Sequence, residues 1–361
     1  MAIEHADNRI LLVGFPNYLA WRACVVLLRD SSCTVTALVG VADERRAAAA
    51  ASELARIVPD IPQRFRVQLC DWSAPGLVRG SARASLLVEA RQLVDLTGVG
   101  VPCAPLERSH LAALLDLARA CPHLRRFDYL STAFVSGDRL GIVAESEFAH
   151  GQGFKNSWEE TAFAAERLLR DARLHMPPTI YRPTFPIGDS RTGEIDRFDG
   201  PYALLRFFEQ WSAVNLPLPM IGRGAVAAPI IPIDYLASAI ARLLLLPEAA
   251  GRTIQVADPD APTVWTAYRR CAELLTGRTP RYSLRPGLAA KLLRSPLLRR
   301  WDISPGVVAY LNHRVTYETR TAHALLAPIG IVPPSFQEYA PTLVEFFADH
   351  CDDPRFGAGL A

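Results

Sequence analysis

Short apolar runs alternate with longer mixed stretches through the first half of the chain. Residues 9–14 (Arg-Ile-Leu-Leu-Val-Gly) form an apolar run closed by glycine, and residues 18–29 after it have helical spacing. Residues 33–39 predict a second strand, and the alanine-rich residues 42–54 a second helix. Residues 65–71, 93–98 and 126–132 continue the strands, with 111–120 the clearest helix between them. Strands that are apolar almost throughout are buried on both faces, so the alternation predicts a parallel sheet with helices on both sides. The first strand–helix turn then falls where a doubly wound fold holds a dinucleotide.

Further on, residues 129–137 (Tyr-Leu-Ser-Thr-Ala-Phe-Val-Ser-Gly) predict a buried strand ending in hydroxyl groups. Residues 153–166 predict a loop entering a helix, and 181–193 a strand running into a Gly-rich turn. Residues 201–213 and 233–246 have helical patterns, 215–224 is rich in Pro and Gly, and 251–258 supplies another strand. From 262 to 348 the pattern is mostly helical, broken by Pro and Gly, as suits a lid over the sheet ends. The expected division is a Rossmann-type core over 1–185, completed by 229–258, and a substrate-binding lid from 186–228 and 259–361.

Composition narrows the function classes. The 361 residues can bury a large core, and a net charge of +2 gives no general affinity for nucleic acid. The basic charge is almost all arginine, since lysine occurs only at Lys155 and Lys291. There is no export signal, and the apolar run at 241–247 is too short to span a bilayer, so a cytoplasmic protein is expected. Seven cysteines, none in a Cys-x-x-Cys pair, predict buried thiols rather than a disulfide framework. No metal-spaced cluster, nucleophile elbow, P-loop or nucleic-acid motif occurs; Arg299, Arg300 and Trp301 make a local basic spot, expected on the lid surface.

The stretch from 129 to 193 resembles the catalytic half of an extended short-chain dehydrogenase/reductase. Its Gly-Asp-Ser-Arg-Thr-Gly turn (188–193) resembles the branch of carrier-protein thioester reductases and fatty acyl-CoA reductases. Asp71, the Leu96-Thr97-Gly98 turn, the Pro-Ile-Asp-Tyr run at 232–235 and the tail at 329–347 resemble family features in the same order. The resemblance implies an α/β fold with a doubly wound parallel sheet and a mainly helical C-terminal lid. It also implies NADP or NAD, with Gly14, Asn17, Ala20, Asp71, Gly98 and Arg182 as cofactor positions. Asp189, Ser190 and Arg191 would lie at the mouth of a substrate channel. An acyl substrate on a carrier protein or CoA is the implied partner.

The chain departs from that pattern twice. The turn after the first strand should carry three small residues, and here they are Gly14, Asn17 and Ala20. Asn17 places a side chain where pyrophosphate would come closest, and Pro16 removes one backbone donor. Gly40 supplies neither an acid for a ribose nor an arginine for a 2′-phosphate; Arg45 and Arg46 lie further on. The turn either holds a dinucleotide in altered form or holds none. The catalytic tyrosine and its lysine four residues later are replaced by Trp158 and Ala162, leaving Thr132 as the retained hydroxyl. Losing a general acid costs about 10²–10⁴ in rate. His150 and Lys155 are the candidate substitutes, although an ordinary polar loop also accounts for them. Glu159 and Glu160 suit a helix N-terminus. Trp158 would stack on a flat substrate or plug the vacated space. The function expected is a non-redox step, a cyclisation, isomerisation or elimination, on an apolar acyl or polyketide-like molecule in bacterial specialised metabolism. A reductase with a relocated proton donor and a non-catalytic partner protein are the alternatives.

Overall fold

A computed structural model describes residues 8–58, 61–72, 77, 81–98, 108–213, 217–222, 224–293 and 306–357. Cys103 and the 299–301 basic spot lie outside the described residues. The strands are β1 (Arg9–Val13), β2 (Thr34–Gly40), β3 (Phe65–Cys70), β4 (Gln92–Asp95), β5 (Arg126–Leu130), β6 (Gly141–Val143) and β7 (Thr179–Pro183). They are followed by β8 (Phe185–Ile187), β9 (Pro219–Ile221), β10 (Ile230–Pro232), β11 (Thr253–Val256), β12 (Tyr282–Leu284) and β13 (Val315–Tyr317). The helices are α1 (Tyr18–Asp30), α2 (Glu44–Ile57), α3 (Ile61–Arg64), α4 (Ser81–Glu89), α5 (Arg108–Ala120), α6 (Ser157–Asp171) and α7 (Tyr202–Ser212). They continue with α8 (Ile233–Leu245), α9 (Val264–Thr276), α10 (Pro286–Leu293), α11 (Val307–Leu311), α12 (Arg320–Leu326) and α13 (Phe336–His350).

Seven strands form one sheet in the order β11-β7-β5-β4-β1-β2-β3, every pairing parallel. The reversal of order between β1 and β4 makes the switch point of a doubly wound fold, as the apolar runs predict. One sheet face is covered by α1, α2 and α8 through a core that includes Leu12, Leu27, Val94 and Leu244. The other is covered by α4, α5 and α6 through Leu11, Leu93, Leu114 and Phe127. A separate aromatic-rich core, with Phe198, Phe208, Tyr268 and Phe347, joins α7, α9 and α13. Two short parallel pairs, β8 with β10 and β6 with β13, lie between this part and the ends of the main sheet, while a third, β9 with β12, lies within it.

Most predicted elements form within a residue or two of their expected bounds, and the differences have local causes. The strand expected over 129–137 ends at Leu130; Thr132 then caps a 3-10 turn over Ala133–Ser136 by accepting the Phe134 N–H. The strand over 93–98 ends at Asp95, whose carboxylate receives the N–H and hydroxyl of Thr97 and folds the chain into a turn. The mostly helical 262–348 stretch also holds β12 and β13, which are too short to show a strand pattern. Cys24, Cys33, Cys70, Cys121, Cys271 and Cys351 are free thiols. No helix among the described residues is long and apolar enough to cross a membrane.

Candidate functional site

A cleft of about 1070 Å³ opens at the C-terminal ends of β1, β4 and β5. At its inner end stand Thr132, Phe134, Trp158 and Phe185. From there it passes Gly98, Asn17 and the 188–193 turn, and it runs out over the exposed side of α1.

The turn that would hold a dinucleotide is already occupied by the chain itself. Gly14 takes φ +108°, and a Cβ there would lie 2.8 Å from the Leu96 carbonyl carbon, so this position requires glycine. Asn17 caps α1, its Oδ1 accepting the Ala20 N–H at 2.8 Å, while its Nδ2 donates to the Leu96 carbonyl at 2.9 Å. The side chain therefore spans from β1 to β4 across the switch point. It also consumes a helix N-terminal donor that a phosphate would need. Ala20 is fully buried and serves helix packing only. Gly98 lines the cleft, and a Cβ on it would come within 2.0 Å of the Leu130 carbonyl oxygen, so its role is close packing of the β4 turn on β5. At the adenosine end, the indole of Trp72 covers Gly40, where a Cβ would be 3.0 Å from the indole nitrogen; its ring packs on His110 at 4.2 Å. Asp71 follows β3 on the exposed surface and is not part of the cleft. With the Ala20 N–H spent on Asn17 and the second-strand end covered by Trp72, these residues fit a bound NAD or NADP poorly.

At the catalytic positions, Thr132 is buried and faces the cleft. Trp158 lies in the first turn of α6, which is capped by Asn156, whose Oδ1 accepts the Glu159 N–H at 2.9 Å. Its indole stacks on Phe185 (centroids 6.1 Å, 15°) and leans on Phe134 (5.9 Å), giving the cleft a flat aromatic wall. One turn on, Ala162 is buried with Val135 and Phe163 and offers no side-chain donor where the family has its lysine. The two proposed substitutes do not reach the cleft. Lys155 Nζ donates to the Gly137 carbonyl and to the buried Glu159 carboxylate at 3.1 Å, behind the wall. His150 lies in an exposed loop, 3.8 Å from Glu147. The correction has a simple cause: Lys155 and Glu159 are an i,i+4 pair, which satisfies the ammonium locally.

Behind the same wall, α11 and β13 contribute a tyrosine and histidine layer that the sequence reading did not single out. Tyr310 donates to Glu159 at 2.9 Å and accepts from Asn156 at 2.8 Å, clasping α11 to the start of α6. Burial and the neighbouring Glu159 push its phenol well above the ordinary range. His313 is 3% exposed and bonded to the Tyr317 hydroxyl at 2.8 Å. Burial, helped by the charge of Lys155, pulls its imidazole down from 6.5 to about 3. The folded protein thus stays proton-poor there while the unfolded chain takes up a proton below pH 6.5, so acid destabilises the fold. Stability should fall by about 1.4 kcal/mol per pH unit from this group once the pH is well below its unfolded value. His313→Gln should flatten that slope in denaturant titrations at stepped pH.

The 188–193 turn is well ordered by its own groups. Burial would raise the Asp189 carboxyl, but the Arg191 and Thr192 N–H groups and Arg22 outweigh it and hold it below its ordinary value. Arg22 bridges from α1 to Asp189 and to the Tyr18 hydroxyl, strapping α1 to the turn across the cleft. Ser190 is committed to Asp234, its N–H and hydroxyl bonding the carboxylate at 3.0 and 2.6 Å. Of the three residues expected at the channel mouth, Arg191 is exposed on the cleft rim and Asp189 lines it; Ser190 does not. Arg182, expected near a cofactor, is 1% exposed and ion-paired with Glu166, with one nitrogen on the Glu147 carbonyl. It fixes the end of β7 and faces no cleft. Arg22 and Phe185 were missed; only the i,i+4 spacing of Tyr18 and Arg22 hinted at either. Among the described residues one group, Glu209, Cys351 and Asp352, has ligand-type atoms within 4.8 Å of one another, on the partly exposed surface by the end of α13.

Residues 110–240 match an NAD-binding family described as male sterility protein. Among solved structures, the terminal R domain from the myxalamid PKS-NRPS biosynthetic pathway is 20% identical, with TM-score 0.75 over 97% of this chain and 92% of that one. The reductase (R) domain of a nonribosomal peptide synthetase from Mycobacterium tuberculosis is 19% identical, with TM-score 0.64 over 95% and 91%. UDP-glucuronic acid 4-epimerase from Bacillus cereus, in complex with NAD, is 15% identical, with TM-score 0.61 over 96% and 99%. No curated protein matches the sequence. At these identities the likeness fixes the fold, and the chemistry must be read from the residues in place.

Proposed function

We propose that this chain, an extended short-chain dehydrogenase/reductase of the thioester-reductase branch by fold and family match, works on a ligand without transferring hydride. The ligand is an apolar acyl or polyketide-like molecule of specialised metabolism, presented free or on a thioester. It lies against the Trp158–Phe185 wall with a carbonyl near Thr132, where a cyclisation, isomerisation or elimination takes place. The observation that carries this reading is the pair of fillings: Asn17 in the phosphate turn and Trp158 in the place of the proton donor. An indole N–H is too weak an acid to serve as a phenol does, and the buried Ala162 supplies no ribose-holding ammonium.

A non-catalytic role, holding such a molecule for another protein, is the second reading. It is favoured by the placement of His150 and Lys155, which stand away from the cleft and leave Thr132 without an evident acid/base partner from either.

Titration with NADPH and then NADH, followed by calorimetry, tests the proposal directly. No saturable heat is expected up to millimolar cofactor. Micromolar binding of either nucleotide, with turnover of an aldehyde, ketone or thioester, would overturn it in favour of a reductase.

A further inference from the structure

The helix α1 carries two apolar stripes, and only one of them is used by the sheet. Leu19, Ala20, Ala23, Cys24, Leu27 and Leu28 are buried in the core. Tyr18, Trp21, Val25 and Val26 pack along the edge of that core, stay half-buried and form the second stripe, at the i, i+3, i+7 and i+8 positions of an amphipathic face. That stripe is the floor of a trench. On the α2 side stand Ala50, whose carbonyl takes the Trp21 indole N–H at 3.2 Å, and Ile57, which is 39% exposed. On the α8 side stands Ser238.

Two features say what the trench accepts. It is continuous with the Thr132–Trp158 end, both belonging to one cleft of about 1070 Å³. That is at the upper limit of ordinary small-molecule pockets, roughly 300–1,000 Å³. Its bordering charges also balance: Arg242 pairs with Asp30 at 2.7 Å and Arg46 with Asp43 at 2.8 Å, and the exposed Arg29 and Glu53 add one charge of each sign. An apolar floor between neutralised rims suits an uncharged chain rather than a polyanion. The length of α1, 13 residues, makes the trench about 20 Å long.

We infer that the outer face of α1 is a subsite for the distal apolar chain of the ligand, resting on the reading above that the reactive end lies at Thr132 and Trp158. The chain leaves the aromatic wall, passes Tyr18 and lies over Trp21 and Val25. This route diverges from the path a dinucleotide would take toward Asp71.

The test uses acyl N-acetylcysteamine thioesters from butyryl to palmitoyl, titrated into the full chain and its variants by calorimetry. Affinity should climb with chain length, by up to about fourfold for each methylene fully buried, until the trench is filled. In Val25→Arg and Ser238→Arg, both at half-buried positions and each confirmed folded by its melt, the climb should vanish and long chains should bind no better than short ones. Trp158→Ala should weaken all chain lengths by a similar factor. A wild-type climb that persists in both arginine variants overturns the subsite. Butyryl binding that is absent, with Trp158→Ala silent while the arginine variants still abolish a long-chain climb, would instead overturn the placement of the reactive end and leave the subsite standing. Absence of binding at every length overturns both.

Discussion

Replacing Glu166 with alanine is expected to lower unfolding stability by about 3–5 kcal/mol, the cost of leaving a buried charge without its partner. Glu166 is wholly buried in α6 and receives Arg182, Arg170 and the Ser131 hydroxyl at once. Burial alone would raise its carboxyl; the two guanidinium groups overcome this and hold it below its ordinary value. With alanine in its place, the Arg182 guanidinium, its side chain 2% exposed, keeps the Glu147 carbonyl as its one hydrogen-bond acceptor among the described residues, beside the Phe148 ring. The loss should appear as a lower midpoint in urea with an unchanged slope. It should also be pH-dependent in a defined sense. A depressed carboxylate stabilises the fold above its unfolded value and loses that contribution as pH falls through the folded one, so wild type and variant should converge in acid. A small effect, under 1 kcal/mol, would mean that Arg182 finds water or another partner once Glu166 is gone.

That pair also marks what the sequence could and could not convey. The sheet was legible because most of its strands are largely apolar and alternate with helices, so β1 to β5 and β7 could be placed without knowing any contact. Asn17 and Trp158 were legible for a different reason: a motif with fixed spacing makes a wrong residue conspicuous. What a side chain does once folded depends on partners that spacing does not give. Arg22 meets Asp189 across 167 residues, and Ser190 meets Asp234 across 44, so neither commitment could be read from its own neighbourhood. Lys155 is the reverse case. Its partner Glu159 stood four residues away in plain view, and the ordinary polar loop expected as the alternative is where it lies. The second stripe on α1 was visible too, in Tyr18, Trp21 and Val25, but a helix on a parallel sheet is expected to need one apolar face. The second acquires meaning only beside α2 and α8.

Grafting the family's pair back, as Trp158→Tyr with Ala162→Lys, is expected to yield no hydride transfer and a less stable protein. Ala162 is 5% exposed and packed against Val135 and Phe163, with Phe148 and Phe154 beside them. A lysine there must either push this cluster apart, at about 1–3 kcal/mol for overpacking, or bury an ammonium beside Glu159 and Glu166, carboxylates already committed to Lys155, Arg170 and Arg182. Nor would the tyrosine find its former environment. The lysine-stabilised phenol works by passing a proton as hydride arrives, and Asn17 and Trp72 occupy the ground on which a nicotinamide dinucleotide would have to lie. Adding Asn17→Gly frees the Ala20 N–H and the Leu96 carbonyl but leaves Pro16 without a donor and Trp72 over Gly40. The triple variant should therefore still show no saturable NADPH binding at millimolar concentration. Micromolar binding in the triple variant would locate the whole barrier at Asn17. Hydride transfer in the double variant alone would mean that the wild-type turn accepts the cofactor and that the proton donor was the one missing part.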